Sequence, residues 1–226
     1  MLNSYISKIK GDDYKIDDKV PTSYLIGLIL SRIFMKLRGL LSGIRHGGSI
    51  FIGARVIIKS KRQLQVGKGV SIGNNCYIDA LSENGIRFGD NVSVGRNTTI
   101  ECTGNIQFLG NGLTVGNNVG LGTDNFFGCA GGIKIGDDTI IGNFVSFHSE
   151  NHVYSDNEVP IRLQGVVHQG INIGKDCWIG AKSTILDGVN VADGVIIAAG
   201  AVLKAGNYEK KGIYGGVPAK LIKFRD

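Results

Sequence analysis

From Val66 onward, apolar residues recur every six positions. They stand at 66, 72 and 78, at 88, 94, 100 and 106, at 115, 121, 127 and 133, at 135, 141 and 147, and at 173, 179, 185, 191, 197 and 203. Glycine follows most of them. Four residues after the aliphatic one comes a mostly small side chain, such as Val70, Cys76, Thr98, Val119, Thr139, Cys177, Ser183, Val189, Val195 or Ala201. A longer unit restarts the pattern at Gly85-Ile-Arg-Phe-Gly-Asp-Asn, Gly132-Ile-Lys-Ile-Gly-Asp-Asp and Gly170-Ile-Asn-Ile-Gly-Lys-Asp. An internal repeat of this kind decides the fold. Six residues suit one short strand and a sharp bend, three such units close a triangle, and stacked triangles put parallel strands about 4.8 Å apart. The pattern predicts an all-β chain: a parallel β-helix, a triangular prism of about six coils and on the order of 29 Å tall. The glycines are expected at the bends, where they tolerate backbone angles that other residues avoid. The period does not set the hand, and ordinary strand twist and crossover preferences favour the right-handed form. One coil cannot bury its own core, so stacking and capped ends must stabilise the column.

Upstream, the period changes. Ile26, Leu30, Ile33, Leu37, Leu40 and Ile44 recur at steps of four and three over Ser23–Ile44, the pattern of a helix. A spanning helix needs roughly 20 mostly apolar residues, and Arg32, Lys36 and Arg38 interrupt this one. It is expected to pack on a partner or to lie in a membrane interface over residues 23–44. The chain thus divides into a basic, amphipathic helical segment (1–50), the β-helix (51–206) and a carboxy-terminal tail (207–226).

Composition narrows the function classes. With 35 glycines, 3 prolines and 42% apolar residues, collagen, proline-rich linker and disordered chain are excluded. The net charge of +6 is uneven, because residues 19–78 hold ten Lys/Arg and no Asp or Glu. No aromatic or recognition motif accompanies these charges, so nucleic acid is not expected as a partner, whereas an anionic membrane surface is. Cys76, Cys102, Cys129 and Cys177 show no CxxC spacing, and the amino terminus lacks the order of a signal peptide. Reduced thiols and a cytoplasmic location follow, with contact at most at the inner face of the membrane.

The hexads fail between Phe147 and Ile171, where a loop (148–170) leaves the prism with His148, His152 and His168, three of the four histidines. Long loops on a rigid scaffold are usually functional or disordered. His152, next to Asn151, is expected to project outward. It then reads either as a base able to take a proton from a hydroxyl, or as a hydrogen-bonded loop histidine without chemistry. The three imidazoles could instead gather on zinc, as in a carbonic anhydrase-like β-helix. Residues 204–226 hold six Lys/Arg against two acids, which suits phosphate groups or a solvated tail.

The stretches Asn151-His152, Asp176-Cys-Trp-Ile-Gly180, Ile197-Ala-Ala-Gly-Ala201 and Gly215-Gly-Val-Pro-Ala-Lys-Leu-Ile222 carry a resemblance. Over roughly residues 66–225 the chain is similar to the hexapeptide-repeat acyltransferases, a group that includes galactoside, maltose and xenobiotic acetyltransferases and polysaccharide O-acetyltransferases. The resemblance implies a left-handed β-helix that forms a homotrimer, with active sites in the clefts between neighbouring prisms, acetyl-CoA as cosubstrate and no metal. Carried over residue by residue, it implies that His152 is the general base and that the Ala181 amide faces the oxyanion. It puts Ala199 against the pantetheine arm through its backbone, and Lys204, Lys220 and Lys223 near the nucleotide phosphates. Trp178 lines the cofactor cleft or packs under the loop. Glu150 orients His152 or hydrogen-bonds the acceptor, or is a solvated loop acid. Asp124 and Asn125, beneath the loop, are candidates to hold a sugar. The implied activity is O-acetyl transfer to a sugar hydroxyl of a surface polysaccharide or its lipid-linked precursor. The alternatives are a serine acetyltransferase-like enzyme and a β-helix scaffold without catalysis.

Overall fold

The computed structural model describes residues 16–226; of the segment 1–50, residues 1–15 lie outside it. Strands of mostly two or three residues stack in register into three sheets of eight, nine and seven strands, parallel except for the last strand of the second, which form the faces of a left-handed β-helix. Each coil visits the first, second and third face in turn, as Ile86–Phe88, Ser93–Val94 and Thr99–Glu101 do. Seven full coils run from Arg45 to Leu203, and two sides of an eighth follow at Gly206–Tyr208 and Gly212–Gly215. The column is thus taller than the hexads suggest. Its first coil begins inside the segment assigned to the helix, and the six-residue step slips at the 3-10 turn Lys61–Gln63.

Strand residues alternate between interior and solvent. The third face stacks Ile78, Ile100, Phe127, Phe147 and Ile185 inward, all fully buried, and the two phenyl rings lie 4.8 Å apart at 12°. Each such side chain contributes about 1.5–3 kcal/mol by leaving water. The small corner residues are interior too. The Thr98, Thr139 and Ser183 hydroxyls donate to the carbonyls of Gly122, Gly174 and Gly180, which satisfies them without water.

The hexad glycines serve a different purpose from the one expected. The residue in the left-handed region lies two positions further on, and it is usually asparagine or aspartate: Asn75, Asn91, Asn97, Asn118, Asp124, Asp138 and Asp176 have φ between 53° and 60°. These types tolerate that region best after glycine. Their side chains bond up the corners, Asn75 to Asn97 to Asp124 and Asn91 to Asn118 to Asp138. Glycine is needed for close approach, since a Cβ on Gly73 would stand 2.6 Å from the Arg96 nitrogen of the next coil.

The hexads break three times, all at the corner between the third and first faces (the 3–1 corner): residues 80–85, 102–112 and 149–170. Ile106, which fits the six-residue count, lies in the second break and is 83% exposed. Both column ends are covered. Helix α1 (Thr22–Leu40) docks below through Gly39, where a Cβ would overlap the Ile50 carbonyl, and through Arg32 over the Phe51 ring. Ile26, Leu30, Ile33, Leu37 and Leu40 of the helix stay exposed, whereas Ile44 belongs to the column interior. Above, Lys220–Phe224 runs antiparallel to Gly212–Gly215 as the last strand of the second face. Among the described residues no helix is long and apolar enough to cross a membrane. All four cysteines are free and buried.

Candidate active site

Below the long excursion, the 3–1 corner closes quickly, from Gly128 to Ile133. After Ser146–His148 the same corner is held by Ser149, whose hydroxyl donates to the Gly128 carbonyl and accepts from the Gly131 amide, and the chain then leaves. Asn151–His152 pairs antiparallel with Val166–Val167, and Val153 N–H donates to the Gly165 carbonyl. Further out, the Gln164 side chain bonds Asp156 and Val159, bracing the tip around the 3-10 turn Ile161–Leu163. At the base, the buried Asp187 carboxylate accepts from the Gln169 and Gly170 amides and from Asn151 Nδ2. The sequence signals Asp187 only as an Asp-Gly turn.

His152 is exposed on the exit strand of this hairpin. Glu150 is half-buried against Gly104 of the 102–112 excursion, and no hydrogen bond joins it to His152. His148 lies on the outer third face with its ring centroid 5.5 Å from that of Phe126, while His168 packs over Gly131. The three imidazoles do not converge: among the described residues no group of three or more His, Cys, Asp or Glu is placed to hold a metal ion.

The residues expected near the cofactor lie mostly on the other side of the third face. Trp178, 54% exposed, stands on the outer second face between Ile140 and Ile196. Phe144, at the adjoining corner between the second and third faces (the 2–3 corner), has φ 58°, a conformation that costs a bulky side chain about 1–3 kcal/mol. Ala181 and Ala199 occupy this same corner in successive coils. Lower down, Asn74 and Asn143 accept from the corner amides of Ala54 and Thr123 one coil below. With alanine at 181 and 199, the corner N–H groups of Asn143 and Ala181 have no such side-chain acceptor. Lys220 and Lys223 sit on the topmost strand of the second face, opposite Gly215 and Ile213, and form no ion pair among the described residues. Lys204 does not join them, because it follows Val202–Leu203 at the 3–1 corner, on the loop side.

Two acceptor-site expectations change. Asn125 is 2% exposed, and both ends of its amide are used inside the corner, donating to the Gly142 carbonyl and accepting from Val145 N–H. Buried there, it is out of reach of a sugar. Asp124 lies at the 2–3 corner, across the third face from the loop, half-exposed and with one oxygen accepting from Asn97. That bond, then Thr123, holds its carboxyl below the ordinary carboxylate range.

Comparison with known proteins agrees with this architecture. Residues 50–80 and 63–102 match the hexapeptide repeat of succinyl-transferase, and residues 170–205 match the bacterial transferase hexapeptide (six repeats). Over 181 residues the chain is 29% identical to the Mycobacterium tuberculosis protein named "Probable acetyltransferase Rv3034c", covering 79% of this chain and 51% of that protein. The chain therefore spans about half the length of that curated relative. AntD, an N-acyltransferase from Bacillus cereus solved with dTDP and 3-hydroxybutyryl-CoA, shares the fold at a TM-score of 0.56 and 19% identity, over 83% of this chain and 86% of AntD. The UDP-N-acetylglucosamine O-acyltransferase LpxA from Moraxella catarrhalis does so at 0.55 and 16%, over 77% and 63%.

Proposed function

We propose that this hexapeptide-repeat chain is an acetyl-CoA-dependent O-acetyltransferase acting on a sugar hydroxyl, in a surface polysaccharide or its lipid-linked precursor. One observation carries the reading: the exposed His152 and the Trp178 strip lie at opposite edges of the third face, as the complementary halves of a shared site would. The 3–1 edge presents an exposed imidazole on a braced hairpin. The 2–3 edge presents Trp178 with Ile140 and Ile196 as an apolar strip for the pantetheine arm, free corner amides beside it, and the Lys220 and Lys223 ammonium groups above for phosphates. The match to transferase hexapeptide repeats supports it.

One chain holds these halves apart. The reading therefore includes a homotrimer in which the His152 edge of one copy meets the Trp178 strip of the next. His152 takes the proton of the acceptor hydroxyl as its oxygen attacks the thioester carbonyl carbon. The Ala181 N–H faces the oxyanion of the tetrahedral intermediate. The carbon–sulfur bond then breaks, and the imidazolium returns its proton to the departing sulfur, leaving an acetyl ester and free coenzyme A thiol. None of these steps calls for a metal ion. The protein works in the cytoplasm, with α1 resting on the inner face of the membrane.

Thiol release from acetyl-CoA tests the reading against a panel of sugars, nucleotide sugars, oligosaccharides, amino sugars and serine. A sugar hydroxyl is the expected acceptor. Preference for serine, or an amide product, would replace it. His152→Ala is expected to lower turnover 10²–10⁴-fold, on the order of a general base's contribution, with acetyl-CoA binding kept.

A further inference from the structure

We infer that Asp187 is the positioning residue that fixes His152 in space, an inference that rests on the reading of His152 as the base. Asp187 ends the strand Thr184–Leu186 one coil above the loop and is 3% exposed. Its carboxylate takes hold of both ends of the excursion. Oδ1 accepts from Gln169 N–H at 2.9 Å and Gly170 N–H at 2.8 Å, and Oδ2 accepts from Gln169 N–H at 3.0 Å and Asn151 Nδ2 at 3.4 Å. Asn151 is the residue before His152, and Gln169 and Gly170 are where the chain rejoins the column.

The exit and return strands pair over two residues only, Asn151 with Val167 and His152 with Val166, and a lone two-stranded hairpin is marginal in water. What holds this one at a set place on the rigid column is the buried carboxylate. An ionised carboxylate is acceptor-only with room for several donors, and its bonds to N–H groups are of the stronger, charge-assisted kind. Serine could not serve both ends: Ser149, one coil below, engages only the corner itself. Asp187 thus acts through Asn151 and touches neither substrate nor cofactor.

Exchanging the two partners separates positioning from mere stability. Asp187→Asn keeps an acceptor for the Gln169 and Gly170 amides but turns an NH2 group toward that of Asn151. Asn151→Asp sets two carboxylates against each other. Both single variants are expected to lose kcat on the order of 10²-fold, the effect of a displacement near 1 Å, with the KM for acetyl-CoA unchanged. The double variant, Asn151→Asp with Asp187→Asn, rebuilds the pair in reverse and is expected to regain most of kcat. Wild-type kcat in the single variants, or no recovery in the double, overturns the inference. Asp187→Ala is expected to speed hydrogen exchange at the Gln169 and Gly170 amides, and unchanged protection there also overturns it. That readout stands apart from catalysis: a wild-type protein that releases no thiol with any acceptor defeats the reading of His152, while the exchange result still judges the clamp.

Discussion

A methyl group on Gly142 would stand 2.6 Å from the Ala181 nitrogen and 2.9 Å from its Cα, both backbone atoms of the next coil that cannot swing aside. Gly142→Ala is therefore expected to destabilise the protein by about 1–3 kcal/mol, the usual cost of overpacking, seen as a lowered thermal midpoint. Gly27, inside α1, meets nothing within 4 Å, and Gly27→Ala is expected to stabilise by about 0.5–1 kcal/mol in the same assay. The contrast separates glycine kept for space from glycine that is merely tolerated. Sequence shows both as the same letter, and so the hexad glycines read as bends although the left-handed angle falls on asparagine and aspartate. Asn125 misleads for a related reason. Polar residues at a corner look available, but its amide closes a gap between coils, and no local pattern distinguishes that from a solvated asparagine. Asp187 is illegible in the opposite sense, because its partners lie 17, 18 and 36 residues away.

Corners work as ladders, and the ladders titrate. The Asp137 carboxyl is held below the ordinary value of 3.8 by the Asn117 N–H first and then by the Lys175 ammonium at 2.9 Å, and Asp124 by Asn97 and Thr123. A carboxyl with a lowered folded pKa contributes stability that is present above its unfolded pKa and is lost as pH falls through the folded value. The thermal midpoint should accordingly decline as pH falls below about 4, the carboxylate range. Asp124→Asn with Asp137→Asn should flatten that decline, since asparagine keeps the left-handed angle at 124 and an acceptor oxygen for the Asn117 N–H at 137 without the charge; an unchanged slope would assign acid lability elsewhere. The faces themselves were readable, because every interior hexad repeats one physical demand, an apolar side chain between two others. The 102–112 excursion was not. Its Ile106 falls on the count by coincidence, and a six-residue tally cannot see that Phe108 beside it is also exposed, at 72%.

At the level of the whole protein, the decisive question is whether one site is shared by two copies. Sedimentation of the 24.1 kDa chain should give three times that mass. A stronger test mixes two inactive proteins, His152→Ala and Trp178→Glu, which after unfolding and refolding together should regain about one quarter of wild-type activity if neighbours in a closed ring contribute one half each; no recovery would put both halves in one chain. The α1 helix makes a separate prediction. Its exposed apolar residues sit amid ten cations with no acid between residues 19 and 78, so the protein should float with anionic liposomes, and Leu30→Glu with Phe34→Glu should abolish this. Last, the reversed strand Lys220–Phe224 has a use unrelated to phosphates. A parallel column ends in open backbone groups onto which another column could grow, and this strand, turned against the direction of all those beneath it, offers an incoming chain the wrong polarity. Cutting the protein back to residue 216 and removing α1 from the opposite end should release that brake, and the product to watch for is end-to-end fibres.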